Sequence, residues 1–260
     1  MAEISDNHGV PAAGELLDLV PDRWIRRVPG RETFAWPIGA DPVLAVKRFG
    51  GGGRRGQHWR DIWYGRLRGR GHRSPAQVEF ENLVALRDSG FAVPEPVGWA
   101  EDRSRGLSLL SMRWVRYRET LRARLGRPGD PAQRADWLEC LADFVARLHR
   151  GGYYHRDLYV NHFVLAEALD QPQLTLLDLG RVRKENSPRR RWLIKDLGAV
   201  AHSLPSPVSD PEREAFFQRY FELAGPDTLS ARRRWLGAIE RRRRRIAAHV
   251  PRHSGEEPQP

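Results

Sequence analysis

The stretch His155-Arg156-Asp157-Leu158-Tyr159-Val160-Asn161-His162-Phe163, followed by Leu177-Asp178-Leu179-Gly180, constrains this chain more than any other feature. Upstream of it Trp137, Leu141, Phe144, Val145 and Leu148 recur with helical spacing until Gly151-Gly152 stops the run, so His155 to Asp157 falls on a loop. Phe163 to Leu165 and Leu174 to Leu177 are short apolar runs on either side of Asp170-Gln171-Pro172, which predicts a small hairpin. The predicted order is helix, loop with Asp157, hairpin, then Asp178. Two carboxylates so placed suit phosphoryl transfer, one to orient an attacking hydroxyl and one to hold a divalent cation on nucleotide phosphates.

The lysine count points the same way. Of 44 basic residues only three are lysines, Lys47, Lys184 and Lys195. A compact ammonium and a planar guanidinium are not interchangeable, so a lysine kept in so arginine-biased a chain is a candidate for specific chemistry. Lys47 closes the apolar run Val43-Leu44-Ala45-Val46, similar to the Val-Ala-Ile-Lys strand of protein kinases, where a lysine meets phosphate. Such a lysine needs a carboxylate on the following helix. Pro75 to Asp88 reads as that helix, with Ser74 as N-cap and Gly90 as stop; Glu79 and Glu81 both lie on it. Glu79 shares a face with Leu83 and Leu86 and is favoured. Val93-Pro94-Glu95-Pro96-Val97-Gly98 reads as a connection, because closely spaced prolines prevent helix. Leu107 to Trp114 reads as a buried strand leading to a hinge, where the backbone of Met112 to Trp114 would pair with adenine.

At 260 residues the chain can bury a full core, and its net charge of +11 calls for an anionic partner: nucleotide, acidic glycan, membrane surface or nucleic acid. A single cysteine, Cys140, lies in the apolar pattern of the helix before the loop, which fits core packing and a reducing compartment. The N-terminus has no signal-peptide pattern and no run of eighteen apolar residues occurs, so the expected location is cytoplasmic, at most peripheral to a membrane. Residues 1–13 and 251–260 are expected to be disordered. The expected organisation is an N-lobe over 14–112, carrying a basic insertion at about 50–73, and a C-lobe over 113–250.

With these residues together the chain resembles the Kdo/WaaP lipopolysaccharide kinase family, InaA-like proteins included, which has a protein-kinase-like fold. The resemblance rests on His155-Arg156-Asp157, Tyr159, His162-Phe163, on Leu176 to Arg181, and on Arg191-Trp192-Leu193-Ile194-Lys195-Asp196-Leu197. The N-lobe adds Pro29-Gly30-Arg31, Val46-Lys47-Arg48 and the Glu79 helix, so that coverage runs from about residue 25 to 225. It implies a two-lobed α+β fold: a small N-lobe with an antiparallel sheet and one helix, and a larger, mainly helical C-lobe. It also implies transfer of the ATP γ-phosphoryl group, with magnesium, to a heptose or Kdo hydroxyl of the lipopolysaccharide inner core. On that reading Lys47 contacts the phosphates, Glu79 holds Lys47, Asp157 orients the acceptor and Asp178 binds magnesium. His162 stands where protein kinases have asparagine and either binds metal or is structural, with Asn161 as the alternative. Asp196 is expected to hydrogen-bond the loop around His155, and Lys195 to pair with Asp157 or the substrate.

Two departures separate the chain from protein kinases. Gly30 and Gly39 precede Lys47 without a Gly-x-Gly-x-x-Gly, and the segment between Asp178 and Lys195 is short, which leaves little platform for a protein substrate. A protein or small-molecule kinase and a nucleotide-binding pseudokinase remain the alternatives. Arg189, Arg190 and Arg191 are the candidates to meet an anionic acceptor. The insertion mixes Arg54, Arg55, Arg60, Arg66, Arg68 and Arg70 with Trp59, Trp63 and Tyr64; it suits an anionic ligand or a solvated loop equally. The last helix is expected to carry Leu229, Leu236, Ile239 and Ile246 on one stripe and arginine runs elsewhere, either solvated or resting on lipid headgroups. Nucleic acid is the weakest of the partner readings, and no oligomeric state is implied.

Overall fold

The computed structural model describes residues 11–21, 23–37, 41–50, 73–128, 131–166, 173–186, 189–226 and 228–248. Nearly all of the basic insertion, Gly39, the tip of the expected hairpin and both chain ends lie outside them. The chain divides into two compact units between Val115 and Arg116.

The first unit is built on a five-stranded antiparallel sheet of β1 (Arg26–Val28), β2 (Arg31–Trp36), β3 (Leu44–Phe49), β4 (Pro96–Asp102) and β5 (Leu107–Arg113), in the order β1-β2-β3-β5-β4. Pro29-Gly30 joins β1 to β2, with Gly30 at φ 78°, the left-handed position that a proline-led tight turn assigns to glycine. Alternation along β2 and β3 sends Phe34, Leu44 and Val46 to one face, where Leu109 joins them under Ala13, Leu16 and Leu17. Arg48 lies on that same face and pins the leading segment down: its guanidinium donates to the carbonyls of Leu17 and Leu19 and to Glu32. Lys47, one residue earlier, therefore belongs to the opposite face.

The helix α1 (Pro75–Asp88) forms between the ends that the sequence marks. Ser74 Oγ accepts from the Gln77 amide, and Gly90 at φ 76° follows the C-terminal turn. Ala76, Val78, Glu79, Phe80, Leu83 and Leu86 are its buried residues. One expectation is corrected in this unit: 93–98 is not only a connection, because Pro96 opens β4. Proline is tolerated there since it heads an edge strand, where its missing N–H breaks no central ladder.

The second unit contains β6 (Tyr117–Thr120), α2 (Leu121–Gly126), α3 (Pro131–Arg150), β7 (Tyr153–Tyr154), β8 (Phe163–Ala166), β9 (Leu174–Leu176), β10 (Arg183–Lys184), α4 (Arg190–Ser203), α5 (Asp210–Ala224) and α6 (Leu229–Ala247). Strands β8 and β9 form the expected antiparallel pair, to which β6 adds a third strand; β7 pairs with β10. Single 3-10 turns at Val160–His162 and Leu179–Arg181 follow the two motif loops. Leu138, Leu141, Phe144, Val145 and Leu148 of α3 are buried, as are Phe216, Phe217, Tyr220 and Phe221 of α5. Cys140 is only half-buried, and its thiol is pushed up to about 11 by burial, which makes it a poor nucleophile.

The expected stripe on α6 is also corrected. Of its four residues only Ile239 is fully buried, while Leu229 is 74% and Leu236 38% exposed. The helix turns its Ile239 and Arg242 side to α4, because Gly198 has no side chain: a Cβ there would meet the Arg242 Cβ at 2.8 Å and lie 3.5 Å from the Ile239 carbonyl.

Candidate active site

In the first unit Lys47 Nζ lies 2.6 Å from Glu79 Oε1, with the lysine side chain 13% and the glutamate 2% exposed. The pair joins β3 to α1. Glu81, the other candidate, instead meets Arg73 and Gln77 at an exposed position. So buried an ion pair fixes the ammonium's position, and removing either partner would leave an uncompensated charge. Met112 is buried in β5, and the N–H groups of Arg113 and Trp114 are taken by the carbonyls of Glu95 and Val43. These two amides, part of the Met112 to Trp114 backbone expected to face adenine, are thus used within the sheet. A cavity of about 520 Å³ lies beside the Pro29-Gly30 turn, lined by Leu17, Asp18, Glu32 and Arg48 among others. It opens on the Arg48 face, opposite Lys47, and its charges are matched as Arg48 and Arg27 with Glu32, and Asp18 with Arg105.

In the second unit the motif loop starts at Gly152, which holds φ 83° and sits so close to the Glu185 carbonyl that no side chain fits. Asp196, wholly buried on α4, accepts from the backbone N–H of His155 and of Arg156, both at 2.6 Å. One carboxylate thus fixes the two residues before Asp157, as the sequence leads one to expect. Arg156 is at φ 74° and Asp178 at φ 59°, the left-handed region that residues with a side chain seldom adopt. Such backbone survives only where its surroundings enforce it, and here it lies at the two motif loops. The Leu177 amide donates to the His162 carbonyl and ties the loops together. His155 is fully buried; burial pushes its pKa down, against the pull of Asp196, Asp178 and Asp157, and keeps the ring neutral.

Asp157 faces two cations. Arg181 donates to Oδ2 at 2.5 Å, and Lys195 Nζ lies 3.9 Å from Oδ1. Burial, then the neighbouring Arg181, bring the Lys195 pKa down to about 8 despite Asp157. The His162 Nδ1 lies 3.0 Å from the Asp157 carbonyl; an oxygen of that kind only accepts, so Nδ1 carries the proton. Held this way, His162 braces the loop. A magnesium ion would find a hard carboxylate in Asp178, while Asn161 offers an amide oxygen better suited to it than the imidazole.

Arg189, Arg190 and Arg191 are exposed at the start of α4. Arg190 stacks over Trp235 and Arg191 over Trp192, at 5.5 and 4.6 Å from the ring centres. Trp192 also lies parallel to Tyr154, at 5.6 Å, and takes Arg156 over its ring. Three supporting residues escaped the sequence reading. Ser203 accepts from the Val160 amide, and His149 and Tyr220 bond at 2.8 Å with His149 Nε2 3.5 Å from Asp196. Ser203 was within reach, since it follows Asp196 by two helical turns on the same face of α4.

A strand lysine paired to a helix glutamate, a loop aspartate held by a buried helix aspartate, and a second aspartate after a hairpin are the parts of a protein-kinase-like fold. Over 89% of this chain and 91% of the other, the same fold is found in the solved structure "WaaP in complex with acyl carrier protein", at 23% identity and a TM-score of 0.67. Residues 41–220 match the model of the Lipopolysaccharide kinase (Kdo/WaaP) family, and the chain belongs to that family. Among curated relatives it is similar to the lipopolysaccharide core heptose(I) kinase WaaP of Pseudomonas aeruginosa, 29% identical over 46% of this chain and 47% of that one. The enzyme of the same name from Escherichia coli K12 is 27% identical over 43% and 44%. The matched stretch thus spans about half the length of these relatives.

Proposed function

We propose that the protein transfers the γ-phosphoryl group of ATP to a sugar hydroxyl of the lipopolysaccharide inner core, a heptose in preference to Kdo. The observation that carries this reading is the Asp157 loop: its backbone is fixed by Asp196 and its carboxylate is flanked by Arg181 and Lys195. Family membership and the names of the relatives support the acceptor class.

On this reading Lys47, steadied by Glu79, binds the ATP phosphates, and Asp157 accepts a hydrogen bond from the acceptor hydroxyl and aims it at the γ-phosphorus. The new bond forms from that oxygen to phosphorus while the bond to the β-phosphate bridging oxygen breaks, and the hydroxyl proton leaves toward Asp157. Asp157 lies beside two cations, Arg181 and Lys195, an arrangement that suits phosphoryl transfer, where positioning and charge neutralisation outweigh proton removal. Asp178, with Asn161 as second oxygen donor, would hold magnesium, which when bound neutralises phosphate charge. Arg189 to Arg191 would meet acidic groups of the acceptor, and the basic surface would rest on the inner membrane's cytoplasmic side.

The test is label transfer from γ-labelled ATP to dephosphorylated lipopolysaccharide core by wild type, Asp157→Ala and Asp178→Ala. Label on the glycan that either substitution abolishes is the expected result. Label on protein instead, or ATP binding without transfer, would overturn the acceptor assignment or the enzyme reading respectively.

A further inference from the structure

We propose that the outer side of α6 docks on the anionic headgroup surface of a lipid bilayer, with Leu229 and Leu236 entering the boundary between headgroups and acyl chains. The helix has 19 residues, of which eight are arginines and one is acidic. That acid is neutralised within the helix, since both Glu240 oxygens are taken by Arg243 and Arg244. Arg233, Arg234, Arg241 and Arg245 stand exposed beyond this pairing. Leu229 and Leu236 are seven residues apart, so they share a side of the helix with Arg233 between them. Both leucines are exposed, and they account for two of the five exposed large apolar side chains among the described residues.

The inner side of α6 is already occupied. Ile239 is 2% exposed, Arg242 packs at Gly198, and Trp235 meets Phe221 edge-on and carries Arg190 over its ring. What remains outward is arginine interleaved with leucine, the composition of a helix that lies in a membrane interface. A merely solvated charge run gives no reason for leucines at that exposure. A nucleic-acid surface would present aromatic rings for base stacking, whereas the one indole of this helix is engaged inward. Cationic side chains are attracted to anionic leaflets and the attraction falls with salt, while the leucines add a part that salt does not screen.

The inference deepens the glycolipid-kinase reading and rests on it for its biological use, but its test needs neither ATP nor acceptor. Full-length protein is sedimented with phosphatidylcholine vesicles with and without phosphatidylglycerol, at low and high salt. Wild type is expected to partition onto the anionic vesicles only. The combined Arg233→Gln, Arg234→Gln, Arg241→Gln, Arg245→Gln variant is expected to lose on the order of 10²-fold or more in partition, from about one tenfold step or slightly less per arginine. The Leu229→Ser, Leu236→Ser variant should keep the salt-sensitive part and lose the rest. Both should phosphorylate acyl-free core oligosaccharide as wild type does, so a failed docking surface and a failed kinase assignment give different results. No partition onto anionic vesicles, equal partition onto neutral ones, or partition that survives both variants would overturn the proposal. So would binding to DNA or to an acidic protein that the arginine variant removes while vesicles are ignored.

Discussion

Replacing Asp196 with alanine separates the anchoring of the Asp157 loop from everything else at the site. Its carboxylate accepts two short hydrogen bonds from the His155 and Arg156 amides, and both Asp196 and His155 are wholly buried. Hydrogen bonds to a charged group contribute about 1.5–3 kcal/mol each, and a buried amide left without a partner costs a similar amount. The loss for Asp196→Ala is therefore about 3–5 kcal/mol, a large part of the ~5–15 kcal/mol that holds a domain together. Asp196→Asn is nearly the same shape but keeps one acceptor oxygen and turns an NH2 toward a donor, so it should recover less than half of that loss. Urea unfolding of all three proteins measures the stability, and label transfer at a temperature where each remains folded measures the activity. Both variants should be severely impaired in transfer even when folded, since Arg156 is no longer held at its positive φ. A loss under ~1 kcal/mol for alanine, or full recovery by asparagine, would refute the argument that these two bonds set the loop.

Three further outcomes follow from the geometry. Arg181→Ala should lower kcat by about 10²-fold, the effect of removing one donor near developing charge, and leave unfolding within ~1 kcal/mol because the ion pair is half-exposed; an equal loss in both would assign Arg181 to folding. Glu79→Gln should raise KM for ATP more than it lowers kcat, as Lys47 loses the carboxylate that positions it; an unchanged KM would detach the pair from nucleotide. Stability should fall as pH drops below about 6.5, because the unfolded chain protonates histidine there and buried His155 cannot. Glu32 and Glu212, both held below the usual carboxylate range, add to the loss only at lower pH. His202, also lowered by burial, contributes less because it is partly exposed, so His155→Phe should flatten most of the slope between pH 6.5 and 5 in a urea titration; a slope equal to that of wild type would refute this.

The parts of this molecule that were legible in the sequence are those whose cause is local. Helix α1 has its cap, its stripe and its stop in one short window, and the choice of Glu79 over Glu81 follows from helical spacing alone. Asp196 was legible because a charged residue within an apolar helix must find donors, and the preceding loop supplies them. What escaped depended on approach between distant segments. The Trp114 amide belongs to Val43 rather than to a ligand because β3 and β5 pair, and nothing within Leu107 to Trp114 states that register. The face of α6 that turns inward is decided by a glycine on another helix, Gly198, which admits Arg242 and Ile239 and so rotates Leu229 and Leu236 outward. Periodicity gives the existence of an apolar side but not which residues a neighbour will cover. The same limit applies to Arg181: the sequence marks it at the end of the Leu176 to Arg181 stretch but not its partner, and only the left-handed turn at Asp178 and the 3-10 turn that follows bring its guanidinium back to Asp157. A charge that neutralises the Asp157 carboxylate is supplied here from the loop that carries Asp178, so the two motifs are one electrostatic unit, and substitutions in either should be strongly non-additive when combined.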